Sequence, residues 1–293
     1  MLFRRIMAAE TKQTMYEGSD VQSFQFYLQH SGEHEAILQF LMKHLPEEFK
    51  RIAANKSSLG VLGVGSGGGE VDVQMLSLLQ STCSSLPITA DIVEGSTELV
   101  ANFKALVAEN DNLQKIPFTW HVMLSEDYRK QVKDVKKYDF IHMIQMIYYV
   151  DDVTETIRFY HNILNKNGRL MIIVEKASCG WDILWRTFSK ELCNETIPVY
   201  RSSQDVLASL NTLGLKFEEH SIPNTFDITE CFDPNSETGE RLLRFMTATN
   251  DFSQSFTPQI RADILNLLRS KCSTEKEGKI YFNSGLSFIF VHA

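Results

Sequence analysis

The chain has 293 residues, enough for one large domain or for a core domain with a smaller insertion. Hydrophobic residues at 43% and charged residues at 23% match ordinary globular usage and exclude disordered and fibrous classes. Lys and Arg number 29 against 37 Asp and Glu, a net charge of -8 that repels phosphate backbones, so no nucleic-acid partner is expected. No stretch approaches the roughly 18 consecutive apolar residues of a membrane span. The five cysteines (Cys83, Cys179, Cys193, Cys231, Cys272) are scattered, odd in number and never spaced C-x-x-C. That pattern argues against a disulfide framework and against a metal cluster.

Residues 1–18 read as a flexible extension, because the apolar run Ile6 to Ala9 is too short for a secretory segment. Ser19 to Lys50 has helical periodicity, broken at His30-Ser31-Gly32 into two helices. Leu59 to Val64 reads as a buried parallel strand, followed by a glycine loop and a helix from Glu70 to about Gln80. Ile88 to Val93 is a second strand ending on Glu94, with a helix from Thr97 to Glu109. Phe118 to His121 is a third strand, Glu126 to Lys137 a charged helix, and Tyr138 to Met143 a fourth strand. A helix over Val153 to Leu164 leads through an Asn167-Gly168 turn to a fifth strand, Leu170 to Val174. Gln204 to Leu213 and Lys216-Phe217-Glu218 repeat the pattern, and Leu286 to His292 is the closing strand. This alternation predicts an α/β fold with a doubly wound sheet. The segments 19–50, 178–200 and 225–276 fall outside it and suggest a lid subdomain within a single domain over residues 19–293.

The strand, Gly65-x-Gly67-x-Gly69, helix arrangement has an acidic partner, Glu94, at the carboxyl end of the second strand. Ligands of doubly wound sheets sit at those ends, and an acid there accepts hydrogen bonds from ribose hydroxyls. A plain tight turn beside a solvated Glu is the alternative. The spacing is not the G-x-G-x-x-G of dinucleotide sites, and Glu70 at the helix entrance would repel a pyrophosphate. S-adenosylmethionine, a nucleoside without phosphate, fits better, which favours a methyltransferase over a dehydrogenase.

Three further groups stand out. The strand opening on Asp139 runs into Gln145, Tyr148 and Tyr149, which offer an amide, ring faces and hydroxyls at the same edge. His142, inside that strand, reads as a core histidine rather than a base. Trp181 and Trp185, four apart, share a helix face; core packing explains them as readily as a wall for a flat or cationic substrate. Glu33, at the break between the first helices, reads as a cap or a solvated acid unless the fold sets it over the pocket.

These residues carry a resemblance. Ser23-Phe24 through His30-Ser31-Gly32-Glu33-His34, the Asp139–Val150 block, Gly180-Trp181-Asp182-x-x-Trp185 and Leu286-Ser287-Phe288-Ile289 are similar, in the same order, to the histamine N-methyltransferase family. The resemblance spans about residue 20 to the C-terminus, and the Asp139–Val150 block is its most specific part. It implies a class I S-adenosylmethionine-dependent methyltransferase fold, Rossmann-like, with a substrate-binding subdomain. It implies that Gly65, Gly67, Glu94, Ser125 and Ile144 line the cofactor site, with Leu99 where the family has a glutamine. It also implies that Phe24, Glu33, Gln145, Tyr148, Tyr149, Trp181, Trp185 and Phe245 line the substrate pocket, with Glu33 and Gln145 orienting the ring. Asp20 stands where the family has a tyrosine, and Ser284 where an asparagine contacts the substrate. Both exchanges leave a smaller side chain, and Asp20 adds a carboxylate, which suits an imidazole substrate longer than histamine, such as carnosine. The expectation is a cytoplasmic, monomeric enzyme acting on a small imidazole. A nicotinamide-dependent oxidoreductase and a non-catalytic binding protein on the same fold are the competing readings.

Overall fold

The computed structural model describes residues 19–132, 136–194 and 197–293, the side chains of 19–21 excepted. The extension expected over residues 1–18 lies outside them. Helices α1 (Ser19–Ser31) and α2 (Glu33–Ala53) are separated by Gly32 at φ 62°, a left-handed turn that the side-chain-free residue takes without strain. On α2, Ile37, Leu41, Leu45, Phe49 and Ile52 fall three or four apart and are all buried. The helix continues through Pro46 in its interior. An interior proline costs about 3 kcal/mol, whereas each buried Leu, Ile or Phe contributes about 1.5–3 kcal/mol, so the apolar stripe outweighs the proline.

Strands and helices then alternate: β1 (Leu59–Val64), α3 (Glu70–Thr82), β2 (Ile88–Glu94), α4 (Thr97–Ala108), β3 (Phe118–Val122), α5 (Ser125–Gln131), β4 (Tyr138–Ile144), α6 (Val153–Asn162) and β5 (Leu164–Glu175). There follow α7 (Gly180–Thr187), α8 (Ser189–Leu192), α9 (Ser203–Leu213), β6 (Phe217–Ile222), β7 (Thr225–Asp227), α10 (Glu237–Thr247), α11 (Phe252–Ser255), α12 (Pro258–Ser270), β8 (Ser273–Lys276), β9 (Lys279–Asn283) and β10 (Leu286–His292). Seven strands form one sheet in the order β3-β2-β1-β4-β5-β10-β6. β10 runs antiparallel to both β5 and β6, whereas β1 to β5 pair in parallel.

Successive residues of the central strands face opposite layers. Val61, Met171 and Ile173 join one buried cluster with α2, α3 and α4; Leu62, Val64, Leu170, Ile172 and Val174 join another with α6 and α9. Burial on both faces explains why these strands read as unbroken apolar runs. A third cluster gathers Tyr27 of α1, Trp181 and Trp185 of α7, Leu242 and Met246 of α10, Ile264 of α12 and Phe282 of β9. The expected 19–50 lid segment therefore divides: α1 joins this third cluster, while α2 covers the sheet. No helix among the described residues is long and apolar enough to cross a membrane.

Three expectations need correction. The charged helix expected over 126–137 ends at Gln131, and residues 133–135 lie outside the described chain. The helix expected to reach Leu164 ends at Asn162. Asn167-Gly168 does not precede the fifth strand but interrupts it: Asn167 has φ 65° and the pairing with β4 shifts register between Tyr138 and Phe140. β9, which pairs with β7 and β8 in a three-stranded sheet, was not foreseen.

Gly69 caps α3 at φ 83°, and a Cβ built there would lie 2.2 Å from the buried Phe103 ring of α4. Gly69→Ala combines left-handed strain with overpacking and is expected to cost about 2–4 kcal/mol. Urea denaturation checks this; a loss under about 1 kcal/mol would mean that Phe103 yields.

Candidate active site

The carboxyl ends of β1, β2, β4 and β5 meet where the strand order reverses, between β1 and β4, the position at which doubly wound sheets bind ligands. Two groups of side chains stand there, one on the β1–β2 side and one beyond β4 and β5.

On the first side, the loop after β1 turns on Gly65 at φ 66° and lies so close to the turn after β4 that a Cβ on Gly65 would be 2.6 Å from Met146 Cβ. Glu94 ties the loop to β2: its Oε2 accepts from Gly67 N–H at 2.9 Å and its Oε1 from Ser96 N–H at 2.9 Å. Burial pushes the Glu94 carboxyl up, and backbone N–H groups of Ser96, Gly67 and Gly95 hold it back. Leu99, buried in the first turn of α4, donates its N–H to the Ser96 hydroxyl at 3.2 Å. Ser125 opens α5 with its hydroxyl 3.0 Å from Tyr160 Oη, and Ile144 ends β4 half-buried. Under the loop, Asp72 Oδ1 lies 3.2 Å from His142 Nε2. Burial raises Asp72 to about 7 and lowers His142 to about 3, so the histidine sits in the strand interior as a neutral core group.

The donor set fits a nucleoside lacking phosphate. A carboxylate offers about four acceptor positions, so the backbone N–H groups at Glu94 leave capacity for a ribose hydroxyl. The Glu70 carboxylate folds back over the loop, its Oε1 2.7 Å from where a Cβ on Gly68 would sit, and covers the helix entrance that a pyrophosphate would need.

On the second side, Gln145 has φ 52°, a left-handed conformation rare outside glycine, with its N–H bonded to the Ile173 carbonyl at 2.9 Å. Its Nε2 donates to Glu33 Oε1 at 3.1 Å and to Glu175 Oε1 at 3.2 Å, and its Oε1 accepts from the Tyr148 hydroxyl. Glu33 Oε2 accepts from the Tyr27 hydroxyl at 2.7 Å. Glu33 is therefore buried at the start of α2, not solvated as the local pattern alone suggests. Around it, Phe245 stacks on Tyr27 at 4.2 Å between centroids and on Phe24 at 6.4 Å. Trp181 packs edge-on to Tyr27 at 5.8 Å, and Tyr149 edge-on to Tyr148 at 5.2 Å. Trp185 stacks on Tyr200 at 5.6 Å and its N–H donates to the Met246 carbonyl at 3.1 Å. Ser284 is fully buried, and the Asn224 amide donates both to its hydroxyl and to the Ser31 carbonyl, each at 3.0 Å. Asp20 lies in the first turn of α1, and its side chain is outside the described part of the structure.

Sequence reasoning missed Tyr27, Tyr200 and Glu175. The last had a readable signal: it follows the fifth strand's apolar run just as Glu94 follows the second's. Glu175 is buried, and burial together with the Glu33 charge pushes its carboxyl up to about 8.

A methyltransferase-domain family matches residues 34–220 of the chain. Histamine N-methyltransferase A of Xenopus laevis is 39% identical over 277 residues, 93% of this chain and 94% of that protein. Carnosine N-methyltransferase 2 of Gallus gallus is 37% identical, covering 92% of this chain and 85% of that protein. Among solved structures, the YcgJ protein of Bacillus subtilis superposes with a TM-score of 0.57 at 14% identity, covering 88% of this chain and 98% of that one, a likeness of fold alone. With its glycine loop, the acid that ends its second strand and this match over nearly its whole length, the chain belongs to the histamine N-methyltransferase family and is an S-adenosylmethionine-dependent methyltransferase of the class I α/β fold.

Proposed function

We propose that the chain methylates a ring nitrogen of a small imidazole substrate, and that the exchanges at Asp20 and Ser284 favour carnosine over histamine. The observation that carries this reading is the hydrogen-bonded Glu33–Gln145–Tyr148 group at the sheet edge, set in an aromatic surround. In this reading Gly65, Gly67, Glu94, Leu99, Ser125 and Ile144 hold the cofactor. Phe24, Tyr149, Trp181, Trp185, Phe245 and Ser284 shape the substrate side, with α1, α7, α8, α10, α11 and α12 as its lid. The enzyme acts as a monomer in the cytoplasm, where a reducing environment suits its five free cysteines.

Bound S-adenosylmethionine supplies an electrophilic methyl group on a cationic sulfur. A neutral imidazole nitrogen is already nucleophilic near pH 7, so the chain needs to align the ring rather than activate it strongly. Glu33 accepts the ring N–H, which leaves the opposite nitrogen's lone pair free to face the methyl group. Gln145, fixed by Tyr148, sets the ring's rotation. As the ring becomes cationic, the Glu33 carboxylate and the faces of Tyr148, Trp181 and Trp185 stabilise the charge, and the aromatic surround excludes water.

Glu33→Gln is expected to lower kcat/KM for the imidazole about 10–100-fold, at roughly 1.4 kcal/mol per decade. Steady-state kinetics at saturating S-adenosylmethionine measure it, and unchanged values would remove Glu33 from the site. Glu94→Ala is expected to raise the KM for S-adenosylmethionine with little change in the KM for the imidazole. Methyl transfer to carnosine and to histamine, run side by side with product identification, decides the substrate: a strong preference for histamine overturns the carnosine assignment.

A further inference from the structure

One end of the polar network at the second site holds atoms with no partner at all. Both Gln145 N–H groups and its oxygen are engaged, and Glu33 has a partner on each oxygen. At the unpartnered end, Glu175 Oε2 and Tyr200 Oη are both buried with no hydrogen-bond partner among the described residues. Glu175 and Tyr200 are only 9% and 8% exposed, so water does not make up the deficit cheaply. Aromatic rings adjoin this end: Tyr148 stacks on Tyr200 at 6.5 Å, and Trp185 stacks on Tyr200 at 5.6 Å. An open carboxylate oxygen beside aromatic faces is the chemistry that receives an ammonium ion.

We propose that Glu175 seats the substrate's ammonium group, one step beyond the Glu33–Gln145 pair that holds the ring, and so makes the enzyme select amine-bearing imidazoles over neutral ones. This assignment rests on the imidazole-methyltransferase reading and adds the specificity determinant to it. The charge of Glu33 beside it disfavours the ionised form of Glu175, and a cation docked on Glu175 offsets that repulsion. The groups facing Glu175 are Tyr27 of α1, Glu33 of α2, Gln145 and Tyr148 after β4, Cys179 before α7, and Tyr200 before α9. None of them is a cation; Arg186, over the Tyr200 ring at 5.9 Å, is paired with Asp182 and Asp205, so the positive charge for Glu175 comes from the substrate.

Proton linkage follows. With its carboxyl raised to about 8 by burial and by Glu33, Glu175 carries a proton in the ligand-free protein at neutral pH. Docking an ammonium ion favours the ionised form, so the proton leaves on binding. Affinity for the amine then rises with pH up to about 8, and flattens above it because the carboxylate is already ionised.

The test pairs histamine and carnosine with their N-acetyl derivatives, which keep the ring and lose the ammonium charge. Glu175→Gln keeps an acceptor for Gln145 Nε2. It is expected to lower kcat/KM for the free amines about 10–100-fold, mainly through KM, and to lower that for the N-acetyl derivatives at least several-fold less. On the wild-type protein, calorimetry at pH 7.5 in two buffers of different ionisation enthalpy is expected to show more protons released on binding the free amine than on binding its N-acetyl derivative. This second measurement does not depend on how the variant folds. Equal proton release together with an unchanged KM in Glu175→Gln overturns the assignment while methylation by the wild type stands. Absence of any imidazole methylation by the wild-type protein overturns the underlying reading, and the assignment with it.

Discussion

Gln145 Nε2 lies between Glu33 and Glu175 and donates one hydrogen to each, while its backbone is held at φ 52°. For a residue with a Cβ that conformation costs about 1–2 kcal/mol, and it persists because its surroundings over-determine it. The N–H is fixed by the Ile173 carbonyl of β5, and the next residue, Met146, packs directly on Gly65. One strained turn thus sets both the amide that joins the two carboxylates and the floor of the glycine loop. The two halves of the site are placed by a single backbone feature, and neither can shift without the other.

That turn also organises charge. Glu94, Glu33 and Glu175 come to one edge of the sheet from three separate elements, β2, α2 and β5. Below them the ionisable pair Asp72 and His142 is held toward its neutral forms by burial. A ligand entering at this edge therefore meets three carboxyl groups, which suits a cationic sulfonium and a substrate whose charge increases during reaction. Glu94 differs from the other two acids in what it touches. Its partners are backbone N–H groups, so its position is built into the loop, whereas Glu33 and Glu175 depend on one another through a side-chain amide.

What the sequence shows follows from how local each feature is. β1, β2 and β4 were legible because strands buried on both faces must be apolar throughout, and the break at Gly32 because a left-handed residue punctuates a helical pattern. Glu94 was legible because it ends such a run beside a glycine loop. The burial of Glu33 was not legible from its own neighbourhood: it depends on Tyr27 six residues away and on Gln145 more than a hundred residues away, and only the resemblance to a family assigned it to the pocket. β9 went unseen because it is short and exposed at alternate positions, and its partners β7 and β8 are just as short. Asn167-Gly168 has turn chemistry, yet the flanking pairing of β5 with β4 and β10 absorbs it as a local irregularity.

The third apolar cluster explains how the chain tolerates this site. Leaving a buried polar atom without a partner costs about 1–3 kcal/mol, and Glu175 Oε2, Tyr200 Oη and Trp181 Nε1 all stand in that condition. Trp185, one turn along the same helix, shows the ordinary solution, its N–H given to the Met246 carbonyl. Trp181 packs edge-on to Tyr27, the partner of Glu33, while the Trp185 N–H anchors α7 to α10. Leu184, Leu242, Met246, Ile264, Leu268 and Phe282 are buried together around that anchor, each contributing on the order of 1.5–3 kcal/mol. The helices of this cluster therefore stabilise themselves through their own core. They need no closed polar network at the sheet edge, and the hydrogen-bonding capacity left open there is available to a substrate.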